Sequence, residues 1–300
     1  MVPVASALSN ILLLIPIIYF AYLFLSGRRR RAMVLLSAYL LLAGLVLLAK
    51  FVLKVPRPEG AHTSFDPYSF PSFHTAYVSL LFFLLPNVWT LLYAVLMGYL
   101  RVAAGVHTWV DVVGGFLAAG AVYLLYRFGK RRIGFEWDRQ VFHMGAGALL
   151  GLLLYKSWLL GFWILVAALL VGAVLYHFRG RDPVKPFLEF FDRDGTGKGA
   201  FYFVAGVVAA LAINHTWGWV AAWYVGYVDS TATIVGKWFR TRGKSIYGFL
   251  GGLIAGFFVA IATDTPLWLP LVVSFVEMLP WIDDNISIPV TVAVIGRLIG

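Results

Sequence analysis

Cysteine is absent from the 300 residues, so the chain can build no disulfide, thiol nucleophile or cysteine metal site. Charge is scarce. Asp, Glu, Lys and Arg make up 13% of the residues, against roughly a quarter in soluble domains, while hydrophobic residues reach 61%. The runs at 8–25, 33–53 and 158–176 carry no polar face for water and approach the ~20 residues that span a bilayer. The period-two alternation of barrel strands is missing as well, which leaves helices as the spanning element. There is no Gly-x4-Gly-Lys-Ser/Thr spacing of a Walker loop, and no repeat relates the two halves. No basic segment precedes the first apolar run. Arg28 to Arg31 follow it instead, the reverse of a cleaved signal peptide. Residues 7–26 are therefore expected to remain as a first span with the N-terminus outside.

The expected fold is an all-α integral membrane protein of about twelve transmembrane helices in two helical-bundle domains. The spans are expected near 7–26, 33–53, 73–86, 88–103, 108–127, 141–156, 158–176, 199–214, 217–230, 247–263, 266–280 and 286–299. The polar, basic stretch 128–139 is too short to span and reads as the boundary, giving a domain over 1–130 with about five spans and one over 131–300 with about seven. The net charge of +10 reflects topology rather than a nucleic-acid partner. With Arg28–Arg31 placed in the cytoplasm, the alternate loops hold 18 of the 24 Lys and Arg residues.

Three short patterns interrupt the apolar N-terminal half. They are Lys50 with Arg57-Pro58, then Pro71-Ser72-Phe73-His74, then Arg101 with His107 and Asp111. Three fixed cations can hold a phosphate, and two histidines can attack it and protonate its leaving group. Asp111, four residues after His107, can orient that ring on one helix face. Ionisable groups at membrane depth are functional by default. His62, Lys54 and His215 fall outside the patterns and read as loop or packing residues. The three-part spacing over roughly residues 1–128 resembles the type-2 phosphatidic acid phosphatase superfamily. That resemblance implies a metal-independent phosphohistidine mechanism. His107 would be the nucleophile, oriented by Asp111, and His74 the general acid. Lys50, Arg57 and Arg101 would bind the phosphoryl oxygens, with Ser72 adding a hydrogen bond. The family usually has Gly where Phe73 stands and Ser where Leu100 precedes Arg101.

The C-terminal half carries other polar islands: Asp138 to His143, Asp194-Gly195-Thr196-Gly197-Lys198, Asp229-Ser230-Thr231-Ala232 with Gly236-Lys237, Lys244-Ser245 with Gly248, Glu277, and Asp283-Asp284-Asn285. A carboxylate near a span end suits Mg2+, glycines permit close backbone approach, and lysines meet phosphates as point charges. Asp194-Gly-Thr-Gly-Lys reads as a turn. The set resembles the dolichol kinase family, which includes phytol kinases and CTP-dependent diacylglycerol kinases. That resemblance implies Mg2+ on Asp229, CTP phosphates on Gly236, Lys237, Lys244 and Ser245, and Arg139, His143, Asp284 and Asn285 lining the site. The family often has Glu where Tyr247 stands.

The expected function is thus a lipid phosphate or diphosphate phosphatase, with no cofactor, facing the extracytoplasmic side. It is fused to a CTP- and Mg2+-dependent polyprenol kinase-like domain on the cytoplasmic side. Together they would recycle a polyprenyl carrier lipid. In one alternative, the second half is a phosphatidate cytidylyltransferase or diacylglycerol kinase in phospholipid synthesis. In another, it is a non-catalytic lipid-transport module. The expected partners are the lipid phosphate substrate, CTP and membrane lipids, and the expected location is a prokaryotic plasma membrane.

Overall fold

The structure, a computed structural model, describes residues 2–61, 67–179 and 197–300. His62 and the Asp194-Gly195-Thr196 turn lie outside them. The secondary structure of the described residues is helical, with a lone bridge between Pro56 and Tyr68. The chain divides into two compact units, Met1–Gly134 and Phe135–Gly300.

The first unit holds α1 (Val2–Leu12), α2 (Leu14–Leu25), α3 (Arg29–Leu53), α4 (Phe73–Leu84), α5 (Val88–Ala103) and α6 (Trp109–Ile133). α4 packs along both α5 and α6, α3 along α6, and α1 along α5. One of these contacts positions the phosphate patterns. A Cβ on Gly115 of α6 would fall 2.6 Å from the Ser72 carbonyl, and one on Gly114 would fall 2.2 Å from the Phe70 ring. Glycine at both places lets the 67–72 loop close onto α6, where the Ser72 N–H donates to the Asp111 carbonyl at 2.9 Å.

The second unit holds α7 (Phe135–Lys156), α8 (Trp158–His177), α9 (Lys198–Ile213), α10 (Gly218–Tyr224), α11 (Ser230–Trp238), α12 (Ile246–Thr263), α13 (Leu269–Glu277) and α14 (Asp284–Ile299). A π-helical stretch, Val225–Asp229, joins α10 to α11 without a break. This long helix is the buried centre of the unit, and Trp223, Tyr224 and Tyr227 on it are almost wholly inaccessible. α7 crosses it at a small-residue contact of the kind that lets helix backbones approach closely. A Cβ on Gly147 would sit 2.8 Å from the Gly226 Cα, and one on Gly151 would sit 1.9 Å from Trp223. Gly147→Val is therefore expected to destabilise this unit by about 1–3 kcal/mol through overpacking, read as a lower unfolding midpoint in detergent.

Among the described residues, five helical segments are long and apolar enough to cross a membrane: Val4–Leu25, α3, α6, α8 and α12. The twelve expected spans all fall on helices, but α4, α5, α9, α13 and α14 have 16 residues or fewer. α4 has 12 residues, which at 1.5 Å per residue rises about 18 Å against a hydrocarbon core of about 30 Å. Two further expectations are corrected. The stretch 128–139 is not a loop. α6 continues to Ile133, Gly134 turns the chain at φ +65°, and α7 begins at Phe135. The charges there suit helix ends, with Lys130, Arg131 and Arg132 in the last turn of α6 and Glu136 and Asp138 in the first turn of α7. Asp229, expected near a span end, lies inside the continuous buried helix at the end of its π stretch, a distortion often found at functional sites.

Candidate functional sites

In the first unit, His107 and Asp111 flank the start of α6. Thr108 and Asp111 form a reciprocal capping box: the Thr108 N–H donates to Asp111 Oδ2 at 2.7 Å, and the Asp111 N–H to Thr108 Oγ1 at 3.3 Å. The cap fixes the carboxylate, leaving Oδ2 3.5 Å from His107 Nδ1. That spacing is an electrostatic contact and longer than a good hydrogen bond, so Nδ1 has no formed partner among the described residues. On the other side of the ring, Arg57 Nη1 lies 3.4 Å from Nε2 and donates to the Val106 carbonyl at 3.1 Å. A guanidinium only donates, so Nε2 carries the lone pair and Nδ1 the proton facing Asp111.

Burial, and then the charges of Arg101, Lys50 and Arg57 with His74 close by, hold the His107 pKa down at about 2. The ring is neutral at working pH, as a nucleophile requires. The same shift carries a stability consequence. Between pH ~2 and ~6.5 the unfolded chain takes a proton that the folded ring refuses, so His107 makes stability rise with pH across that window and adds nothing above it. His107→Gln is expected to reduce the loss of unfolding midpoint between pH 7 and pH 5.

The other residues of the three patterns converge on this ring. The Lys50 ammonium, fully buried at the end of α3, donates to the carbonyls of Tyr68 at 2.6 Å and Ser69 at 3.1 Å. It thereby ties the 67–72 loop to the site. Ser72 is the N-cap of α4, its hydroxyl accepting from the Thr75 N–H at 3.4 Å. Its observed role is capping: the Thr75 hydroxyl donates to it as well, at 3.1 Å, so the phosphate hydrogen bond expected of it is left to its own proton. His74 stands in the first turn of α4, and Phe73 beside it turns its ring onto Tyr77. Leu100 packs with Ala5 of α1, Ala104 and Val106. Two residues missed by sequence reasoning join the site from α1. Ser9 Oγ accepts from Arg101 Nη1 at 3.1 Å, and Asn10 Oδ1 lies 3.1 Å from His74 Nε2. Isolated polar residues in an apolar run carry no motif, so only the fold reveals them.

In the second unit, a cavity of about 520 Å³ gathers the polar islands. Its walls include Arg139 and His143 of α7, Asp229, Gly236 and Lys237 of the central helix, Lys244 and Ser245 before α12, and Asp284 and Asn285 of α14. Carboxylate oxygens of Asp229, Glu277 and Asp284 lie within 4.8 Å of one another. Lys244 reaches into this group, donating to Glu277 at 2.6 Å and also to Asp284. Burial alone would lower the Lys244 pKa, but the hydrogen bonds to Asp284 and Glu277 outweigh it and hold the ammonium above its ordinary value.

Three hard oxygen donors at that separation fit a divalent cation. Sequence reasoning gave the metal to Asp229 alone and Asp284 to nucleotide, and it left Glu277 without a role. His143 Nε2 lies 3.8 Å from Asp229 Oδ2. Arg139 is held by Glu136 at 2.9 Å. The Ser245 hydroxyl caps α12, accepting from the Gly248 N–H at 3.1 Å and from the Thr241 hydroxyl at 3.1 Å. Asn285 is tethered to Asp283, its side-chain amide donating at 2.9 Å. Tyr247 stacks on Phe239 with ring centroids 4.5 Å apart, outside the cavity lining, so the position where Glu is often found does not face this cavity. Comparison with known proteins finds no family model, no curated protein and no solved structure that matches the chain.

Proposed function

We propose that the first unit hydrolyses a lipid phosphate or diphosphate through a phosphohistidine, and that the second transfers phosphate from CTP to a lipid alcohol. The observation that carries the first reading is the neutral His107 ring. Its Nε2 lone pair faces Arg57, its Nδ1 faces Asp111, and Lys50, Arg101 and His74 are close enough to shape its electrostatics. Nε2 attacks phosphorus, the ester P–O bond breaks, and the leaving alkoxide takes a proton from His74, which enters the step as imidazolium once the bound phosphate dianion offsets the surrounding cations. Water, deprotonated by His74, then attacks the phosphohistidine, returning neutral His107 and phosphate. The three cations offset the charge on the phosphoryl oxygens, the chief demand of such a transfer.

The second reading rests on the three-carboxylate group, with Lys244 bonded into it and Lys237 and Arg139 lining the same cavity. Asp229, Glu277 and Asp284 would hold Mg2+, which when bound neutralises nucleotide phosphate charge. Lys244 and Lys237 meet the phosphates. The lipid hydroxyl oxygen attacks the terminal phosphorus, its proton passing to water in the cavity, while the bond to the bridging oxygen breaks and CDP leaves. The charge asymmetry of the loops supports a phosphatase site on the extracytoplasmic side and a nucleotide site in the cytoplasm. The economical substrate is a polyprenol carrier, trimmed by one unit and rephosphorylated by the other.

A chelator separates the two chemistries. With EDTA, the purified protein is expected to keep releasing phosphate from polyprenyl phosphate and to lose CTP-dependent phosphorylation of polyprenol. EDTA-sensitive phosphate release would overturn the first assignment. Release of pyrophosphate rather than CDP from CTP would make the second unit a cytidylyltransferase.

A further inference from the structure

Two adjacent residues of α1 end on the two groups that the phosphatase reading uses most directly. Ser6, Ser9 and Asn10 lie three and four residues apart, on one face of α1. Ser9 is fully buried and accepts from Arg101. Asn10 places its amide oxygen on His74 Nε2, and an amide oxygen only accepts, so that nitrogen carries the proton. An oxygen acceptor thus sits on a phosphate-binding cation, and a second one sits on the general acid's N–H.

The backbone explains how α1 comes to lie there. Val4–Leu25 reads as one apolar span, yet the helix breaks at Leu13. Pro16 is the cause: it has no N–H to give to the Leu12 carbonyl four residues earlier, and its ring crowds that carbonyl. The Tyr93 hydroxyl of α5 takes the freed carbonyl instead. Leu100, where the phosphatase family usually has Ser, packs against Ala5 and holds the other end of α1 on α5.

We propose that α1 is a substrate-displaced latch, with Ser9 Oγ and Asn10 Oδ1 standing where a phosphoryl oxygen and the scissile ester oxygen of a lipid phosphate come to sit. The proposal rests on the phosphatase reading of this unit. It adds a rule of selectivity. A ligand enters only if it outcompetes an acceptor pair held in place, which a lipid-anchored phosphomonoester does through charge and chain contacts. Free inorganic phosphate, without the chain, competes poorly, so the latch closing behind the product favours its release.

The absence of native cysteine permits a direct test. Exposed Val4 on α1 and exposed Trp89 on α5 are changed to cysteine in the full chain, spin-labelled, and their distance distribution is measured with and without orthovanadate. Orthovanadate lacks the chain but gains a bond from His107 Nε2 to vanadium that free phosphate does not form, and it is expected to lengthen the distance. In the Ser9→Ala/Asn10→Ala variant, the KM for polyprenyl phosphate and the vanadate inhibition constant are expected to fall together, roughly tenfold, the effect of removing two competing hydrogen bonds. Vanadate binding without a distance change, or a fall in kcat at constant KM, would overturn the latch, make α1 a fixed positioning element and leave the phosphatase reading standing. Vanadate binding only to the double variant would support the latch strongly. No vanadate binding to either protein would end the phosphatase reading and the latch with it.

Discussion

Substituting His107 with glutamine is expected to lower phosphate release from a lipid phosphate by at least about 10⁴-fold, in the range for loss of a catalytic nucleophile. Glutamine keeps polar volume beside Asp111 and Arg57 but has no lone pair able to form a phosphorylated intermediate. The ring precedes α6, and the helix cap fixes the carboxylate that faces it. Thr108 and Asp111 cap α6 reciprocally, with the Thr108 N–H 2.7 Å from the carboxylate that faces Nδ1. Asp111→Asn would keep the cap's acceptor but lose the charge that favours the Nδ1–H tautomer, and about 10²–10⁴-fold of rate is expected to go with it. Rapid quench of the parent protein in alkaline detergent, with substrate labelled on its phosphate, should show label on His107, because the P–N bond of a phosphohistidine survives base and not acid. Undiminished turnover in His107→Gln would remove the nucleophile assignment outright.

Asp229→Asn is expected to reduce CTP-dependent lipid phosphorylation by about 10³-fold or more, the scale of losing a metal ion's charge stabilisation. Its phosphatase activity should match the parent, because each compact unit carries its own set of groups. Asp229 is buried, and its carboxylate stands with Glu277 and Asp284 in a space that Lys244 partly neutralises. Glu277→Gln should follow Asp229→Asn in both activities, since it supplies a third oxygen donor. The check is Mg2+-dependent CTP binding by calorimetry beside the transfer assay. Binding and transfer unchanged in both variants would separate the carboxylate group from any metal.

The residues of the phosphate patterns were legible because their chemistry conflicts with their surroundings. Lys50, Arg101 and His107 stand in or beside apolar helices, where a charge or imidazole is costly without a purpose. Asp111 was legible from its spacing, but the expected shared helix face was not found: His107 stands before the Thr108 cap, and only Asp111 lies on α6. Ser9, Asn10 and Glu277 were not legible, because serine, asparagine and a lone glutamate at a helix end fit an ordinary membrane helix, and their membership depends on which helix packs where. The helix positions followed from apolar runs, but their spanning role did not. A twelve-residue run such as α4 looks equally apolar whether it faces lipid or fills the interior between α5 and α6. The 128–139 stretch was read as a boundary from its polarity; that only Gly134 turns the chain there was not legible, because the same charges suit a loop as well as the end of one helix and the start of the next.

The most direct test of two opposed chemistries in one chain is transfer of label from CTP, labelled on its terminal phosphate, to a polyprenol in detergent with Mg2+. Parent, His107→Gln and His107→Gln/Asp229→Asn proteins are compared. The account expects free labelled phosphate from the parent, accumulating labelled polyprenyl phosphate from His107→Gln, and neither from the double variant. Labelled lipid in none of the three, while the parent still hydrolyses polyprenyl phosphate, would contradict it and leave a phosphatase whose second unit does other work.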